Sequence, residues 1–121
     1  NSLGYALARR GEVTAAARYC EYSLALARQL GAPHAVAYTI HSLGEIYSAQ
    51  DDLALAAACF EEGLSVSQRI AHPVYACANL RGLADVSQQC GEYQAALEYL
   101  DKAQALLQAI ECLLDFLLTF A

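Results

Sequence analysis

The sequence predicts an all-α solenoid of helical hairpins, and three observations predict it. The first is a repeat at a spacing of 40 residues: Leu3-Gly4 returns as Leu43-Gly44 and, with one change, as Leu83-Ala84, while Ala16 returns as Ala56 and Ala96 and Pro33 as Pro73. The second is composition, since 57% of the 121 residues are hydrophobic and the excess is Ala and Leu, the mixture expected where helix touches helix along every turn. The third is periodicity: Val36, Ala37, Ile40, Leu43, Ile46 and Tyr47 recur at spacings of three and four and so share one helical face. A unit of this length cannot bury its apolar face alone, so the units must stack, and a stack offers a long surface for binding.

The first unit, about 1–32, is expected to hold the end of one helix over residues 1–10, a turn at Gly11-Glu12, and a second helix from about Val13 to Leu30, closed by Gly31 in the left-handed conformation. The second, 33–72, opens with Pro33 in a first turn, where its missing N–H costs nothing, and runs to Gln50. Asp51 and Asp52 break that helix and cap the next, Ala54 to Ile70, whose inward positions include Leu55, Ala58, Cys59, Gly63, Val66 and Ile70. The third, 73–112, copies the plan with Val74 to Cys90, a turn at Gly91-Glu92, and Tyr93 to about Ile110; residues 113–121 begin a further helix. That makes about six helices plus a stub in a single domain with no linker, cut from a longer array. At each hairpin crossing, Gly4, Gly44 and Ala84 are expected to face Ala16, Ala56 and Ala96, because a side chain larger than methyl would hold the backbones apart.

These positions resemble the tetratricopeptide repeat over nearly the whole chain. The Leu-Gly pair, the large residue three on from the Gly (Leu7, Tyr47), the turn residue (Gly11, Asp51, Gly91), the Ala five later, the bulky residue four after that (Cys20, Phe60, Leu100) and the next position (Ser23, Gly63, Ala103) all fall in register. The period is 40 rather than the usual value of about 34. In that longer form, and in the phrase Leu26-Ala27-Arg28-Gln29-Leu30-Gly31, the chain is similar to arrays of large bacterial regulators and of eukaryotic signalling scaffolds.

The resemblance implies a right-handed superhelix of about three hairpins that binds a protein or peptide in its concave groove. It also implies the groove positions: Asn1, Tyr5 and Arg9 in the first unit, Tyr38, His41, Glu45 and Ser48 in the second, and Arg81, Asp85, Gln88 and Gln89 in the third. Asn1, His41 and Arg81 are one position read three times, a ladder able to hydrogen-bond an extended peptide or a helix. The paired Lys and Asn of the family's carboxylate clamp are not reproduced, so a mixed-charge ligand is expected. Two other roles stay open: an effector-sensing domain of a transcriptional activator, and a structural spacer or self-assembly unit.

Composition narrows the function classes. A net charge of -6 and a single lysine, Lys102, oppose a sequence-independent hold on nucleic acid or an acidic membrane surface. The five cysteines form no CxxC and no cluster with histidine, which reads as apolar packing in a reducing compartment, and a cytoplasmic protein is expected. His41 and Glu45, four apart on one helix, suit an ion pair or half a metal site, and no second pair completes one. Without a phosphate loop or a nucleophile with its base, neither an enzyme nor a cofactor is expected. The tail carries Leu113, Leu114, Phe116, Leu117, Leu118 and Phe120; as a nine-residue segment with Asp115 it falls short of the roughly 18 apolar residues a spanning helix needs, and self-association is expected there.

Overall fold

The computed structural model describes the backbone of residues 2–120 and side chains from Arg9 to Phe120. It contains five helices: α1 (Ser2–Gln29), α2 (Pro33–Ala49), α3 (Leu53–Arg69), α4 (Pro73–Gln89) and α5 (Tyr93–Phe120). Each helix packs against its neighbours in the chain, and α2 also packs against α4 across the intervening α3. The protein is an all-α solenoid.

The three inner helices are each 17 residues long because the chain turns every 20 residues, at Gly31, Asp51, Ala71 and Gly91, all with positive φ. Each turn closes in the same way. At Ala71, for example, the His72 N–H reaches the Ser67 carbonyl at 2.9 Å and the Ala71 N–H reaches that of Gln68 at 3.1 Å, the paired bonds that satisfy the last carbonyls of a helix. Two helix starts are capped by side chains: Asp52 accepts from the Leu55 N–H, and the His72 ring nitrogen Nδ1 accepts from the Tyr75 N–H at 3.1 Å.

Two expected turns are absent. Gly11 lies inside α1, and Ile110 to Leu113 lies inside α5, so each outer element is one 28-residue helix and the described residues form five helices rather than six and a stub. A glycine inside a helix costs only about 1 kcal/mol relative to alanine, and a turn repays that cost only where the next helix can pack back against the first. At Gly11 and from Ile110 to Leu113 no such return is made, and the helical hydrogen bonds run on. By length and composition α5 is therefore long and apolar enough to cross a membrane, although its Ala96 and Ala103 are buried.

Among the described residues the buried side chains group into three clusters. Ala37, Ile40 and Val66 join α2 to α3, with Leu24, Cys59 and Ile70 packed alongside. Ala56, Phe60, Leu83 and Val86 join α3 to α4, and Cys77, Leu80 and Ala103 join α4 to α5. Leu55 and Ala58, expected to face inward, are exposed, and the buried face of α3 is Ala56, Phe60, Gly63, Val66 and Ser67 instead. Ala16 is exposed too, since α1 runs straight through Gly11, and Gly4 lies outside the described side chains. Of the cysteines only Cys77 is buried; Cys20 and Cys59 are half-buried, with burial pushing both thiols up, while Cys90 and Cys112 are exposed.

Candidate ligand groove

The first helices of two successive units, α2 and α4, lie side by side and leave a cavity of about 470 Å³ between them. His41, Glu45 and Ser48 line it from α2, and Arg81 and Asp85 from α4. The repeat explains the gathering. Positions 41 and 45 recur as 81 and 85, so a basic residue and an acidic residue one helical turn apart appear on both walls. On α2 this pair is in contact, with His41 Nε2 2.9 Å from Glu45 Oε1. On α4 the Asp85 carboxylate accepts a hydrogen bond from Gln89 Nε2 at 3.2 Å.

The wall between the charged rungs is Phe60 with Ala49, Ala78 and Gly82. Phe60 comes from α3, is only 2% exposed, and places its ring 5.5 Å from that of His41. It reaches the cavity because the backbones on either side carry no side chain: a Cβ added to Gly44 or Gly82 would lie 2.6 or 2.7 Å from its ring carbons. Gly44 thus makes room for the Phe60 ring.

Behind His41 lies a buried polar chain. Asn79, fully buried, sets its Oδ1 3.1 Å from His41 Nδ1, while its Nδ2 donates to the Tyr75 carbonyl at 2.9 Å and to Ser67 Oγ at 3.4 Å. The Ser67 hydroxyl donates in turn to the Gly63 carbonyl at 2.6 Å. Asn79 fits only because residue 63 is glycine, since a Cβ there would lie 2.6 Å from its Oδ1.

The other groove positions are arranged differently. Tyr38 is exposed beside Tyr75, with ring centroids 6.5 Å apart, and does not line the cavity. Gln88 and Gln89 are exposed and lie off it. Arg9 lines an adjoining cavity of about 590 Å³ with Arg10, Val13, Thr14, Gln50 and Asp51, and Ala49 borders both. Asn1 and the Tyr5 side chain lie outside the described residues. Among the described residues, no three His, Cys, Asp or Glu side chains gather as metal ligands would.

Sequence reasoning missed Phe60, Gly82 and Asn79 as parts of this site. For Asn79 a signal existed: Thr39, Asn79 and Thr119 are polar at one repeat position, and Gly63 stands where the family usually has alanine. Gly82 has no such signal, because its counterparts Ser2 and Ser42 are not glycines.

Two helices per unit, first helices side by side and a cavity between them are the geometry of a repeat array. A family model for the tetratricopeptide repeat matches residues 1–69. The chain belongs to the tetratricopeptide repeat family. No match was found among curated proteins. Tetratricopeptide repeats are in general non-catalytic modules of protein–protein interaction. The match spans α1 to α3, and the third unit, which supplies Arg81 and Asp85, repeats the same plan beyond it.

Proposed function

We propose that this tetratricopeptide array captures a mixed-charge segment of a partner protein in the groove between α2 and α4, as the interaction module of a larger regulatory or scaffold protein. One observation carries the reading: two copies of a basic–acidic pair, His41 with Glu45 and Arg81 with Asp85, face one cavity from opposite walls. A purely acidic or purely basic segment meets a like charge at every rung, and a segment carrying both signs does not. Phe60 and Ala78 add apolar wall for side chains between the charges.

The test uses a displayed random-peptide library selected on the full chain. Selected peptides should carry both acidic and basic residues, and the triple variant Glu45→Ala, Arg81→Ala, Asp85→Ala should lose them while keeping its melting temperature. Peptides that survive the triple change place binding elsewhere. His41 is left out of the variant because its ring partners buried Asn79, so His41→Ala would also strip a buried acceptor of its partner, at about 1–3 kcal/mol of stability.

A second reading has its own observation. Along α5 the stripe Ala96, Tyr99, Ala103, Leu106 and Ile110 faces the body, and Leu113, Leu117 and Phe120 continue it at the same three-and-four spacing, all exposed. On α1, Tyr19, Tyr22, Leu26 and Leu30 form an exposed stripe of their own. Inside the chain, Val66 and Ile70 pack on Ala37 and Ile40, and Leu106 packs on Cys77 and Leu80. Moved by one repeat, the same relationship sets Leu26 and Leu30 against Leu117 and Phe120, a contact available between two copies. The array thus assembles head to tail, the α5 extension of one copy on the α1 stripe of the next. Light scattering should show mass rising with concentration, and a monomer at all concentrations overturns the reading.

A further inference from the structure

We propose that Asn79 is a positioning residue of the groove, which holds His41 with its proton on Nδ1 and so presents Nε2 to the ligand as a hydrogen-bond acceptor. The inference rests on the groove reading above and adds to it the polarity of one rung.

The direction of every hydrogen bond follows from two helix carbonyls, which can only accept. The Gly63 carbonyl takes the Ser67 hydroxyl proton, leaving Ser67 Oγ as an acceptor. The Tyr75 carbonyl takes a proton from Asn79 Nδ2, which also points at Ser67 Oγ. Turning the amide over would set its oxygen against the Tyr75 carbonyl, two acceptors at 2.9 Å with no proton between them. The Asn79 oxygen therefore faces His41, 3.1 Å from Nδ1, and Nδ1 must carry the proton.

A neutral ring has one N–H, so His41 Nε2 is then a bare lone pair. It points along the groove wall, where the titratable and charged groups that line the same cavity are Glu45 from its own helix and Arg81 and Asp85 from α4, while α3 contributes Phe60. The 2.9 Å contact of Nε2 with Glu45 requires a second proton, because lone pair and carboxylate cannot otherwise share that distance. His41 thus has two defined forms: an imidazolium closed onto Glu45, and a neutral ring whose Nε2 accepts from a ligand N–H. Asn79, clamped by the absence of a Cβ at Gly63, excludes the third form, a neutral ring donating from Nε2.

The chain supplies its own contrast. His72 Nδ1 accepts from the Tyr75 N–H, so its neutral ring must carry the proton on Nε2. Two-bond proton–nitrogen correlation spectra of the ¹⁵N-histidine-labelled full chain, taken where all imidazoles are neutral, should show His41 with the Nδ1–H pattern and His72 with the opposite one. In Asn79→Leu the His41 pattern should move toward Nε2–H and that of His72 should stay. An Nε2–H pattern for His41 in the unaltered chain overturns the proposal even if the variant does not fold, and so does an Nδ1–H pattern that survives in a folded Asn79→Leu. These spectra need no ligand, so the proposal can fail while the groove reading stands, and the reverse. With a library-selected peptide added, the Nε2 resonance of His41 should shift more than Nδ1; a shift confined to Nδ1 overturns the ligand-facing half.

Discussion

Tyr47 on α2 donates a 2.6 Å hydrogen bond to Glu21 on α1, across 26 residues of sequence. The carboxylate holds the phenol in its protonated form and partial burial adds to it, so the Tyr47 pKa is raised from 10.0 to about 12. The folded value lies above the unfolded one, so the contribution of this contact is fully present below pH 10 and is lost as pH rises through about 12. An absorbance titration should show one phenol of the eight ionising last, and Glu21→Ala should return it to the others. The same variant should flatten the fall of stability with pH in that window.

The Phe60 ring fills the space left by Gly44 and Gly82. Gly82→Ala places a methyl group 2.7 Å from a ring that is already packed on Ala56, Leu83 and Val86, so the ring must shift. A loss of about 1–3 kcal/mol is expected. The cost should fall sharply in the pair Gly82→Ala, Phe60→Leu, because the smaller side chain vacates the space. Denaturant unfolding of the two singles and the double closes the cycle, and additive effects would separate Gly82 from Phe60.

Opposite exchanges at Ala71 and Gly11, alanine to glycine at the first and glycine to alanine at the second, should both stabilise the chain. Ala71 holds φ at 52°, a left-handed conformation that costs an L residue about 1–2 kcal/mol. Ala71→Gly should therefore stabilise the chain by about 0.5–1 kcal/mol after the added freedom of the unfolded chain is counted. Gly11 lies within α1 with nothing within 4 Å of an added Cβ, so Gly11→Ala should stabilise by about 0.5–1 kcal/mol. Thermal melts test both, and destabilisation by Gly11→Ala would mean that the chain turns there after all.

The interior of the fold was legible because its signals are local. Pro33, Asp52 and Pro73 mark helix starts, and α2, α3 and α4 begin and end within one residue of the expected bounds. The ends were not legible, because Gly11 carries the same turn chemistry as Gly91 but only Gly91 has a following helix that packs back. The site divides in the same way. His41, Glu45, Ser48, Arg81 and Asp85 follow from repeat register and share one cavity, whereas Tyr38, Gln88 and Gln89 are exposed and do not line it. Asn79 depends on a space created sixteen residues earlier at Gly63, a relationship that periodicity does not express.

The five thiols should differ in reactivity in an order set by burial. Cys90 and Cys112 are exposed and should react first with a maleimide. Burial raises the pKa of Cys20 and Cys59, with Glu21 and Glu62 respectively adding to the effect, so fewer of their thiols are ionised and both should lag. Cys77 is buried with its thiol 3.7 Å from the Ala103 carbonyl and should react only when α5 lifts from α4. Mass spectrometry of a labelling time course orders the sites, and early labelling of Cys77 would show that α5 is not seated as described.

The two apolar stripes make a prediction about mixtures. Leu26→Glu spoils the α1 stripe and leaves the α5 extension intact, and Leu117→Glu does the reverse; both side chains are already exposed, so neither change should disturb the core. Each variant alone should be monomeric, since every head-to-tail contact needs one stripe of each kind. Mixed in equal amounts, they should form a dimer and stop there, because one intact extension can dock on one intact α1 stripe and no further site remains. A contact made by two α5 extensions gives a different result: Leu26→Glu would still self-associate, and adding Leu117→Glu would contribute nothing. Sedimentation velocity on the two variants and their mixture separates these outcomes, and insertion of α5 into lipid vesicles that Leu117→Glu abolishes would assign the extension to a membrane instead.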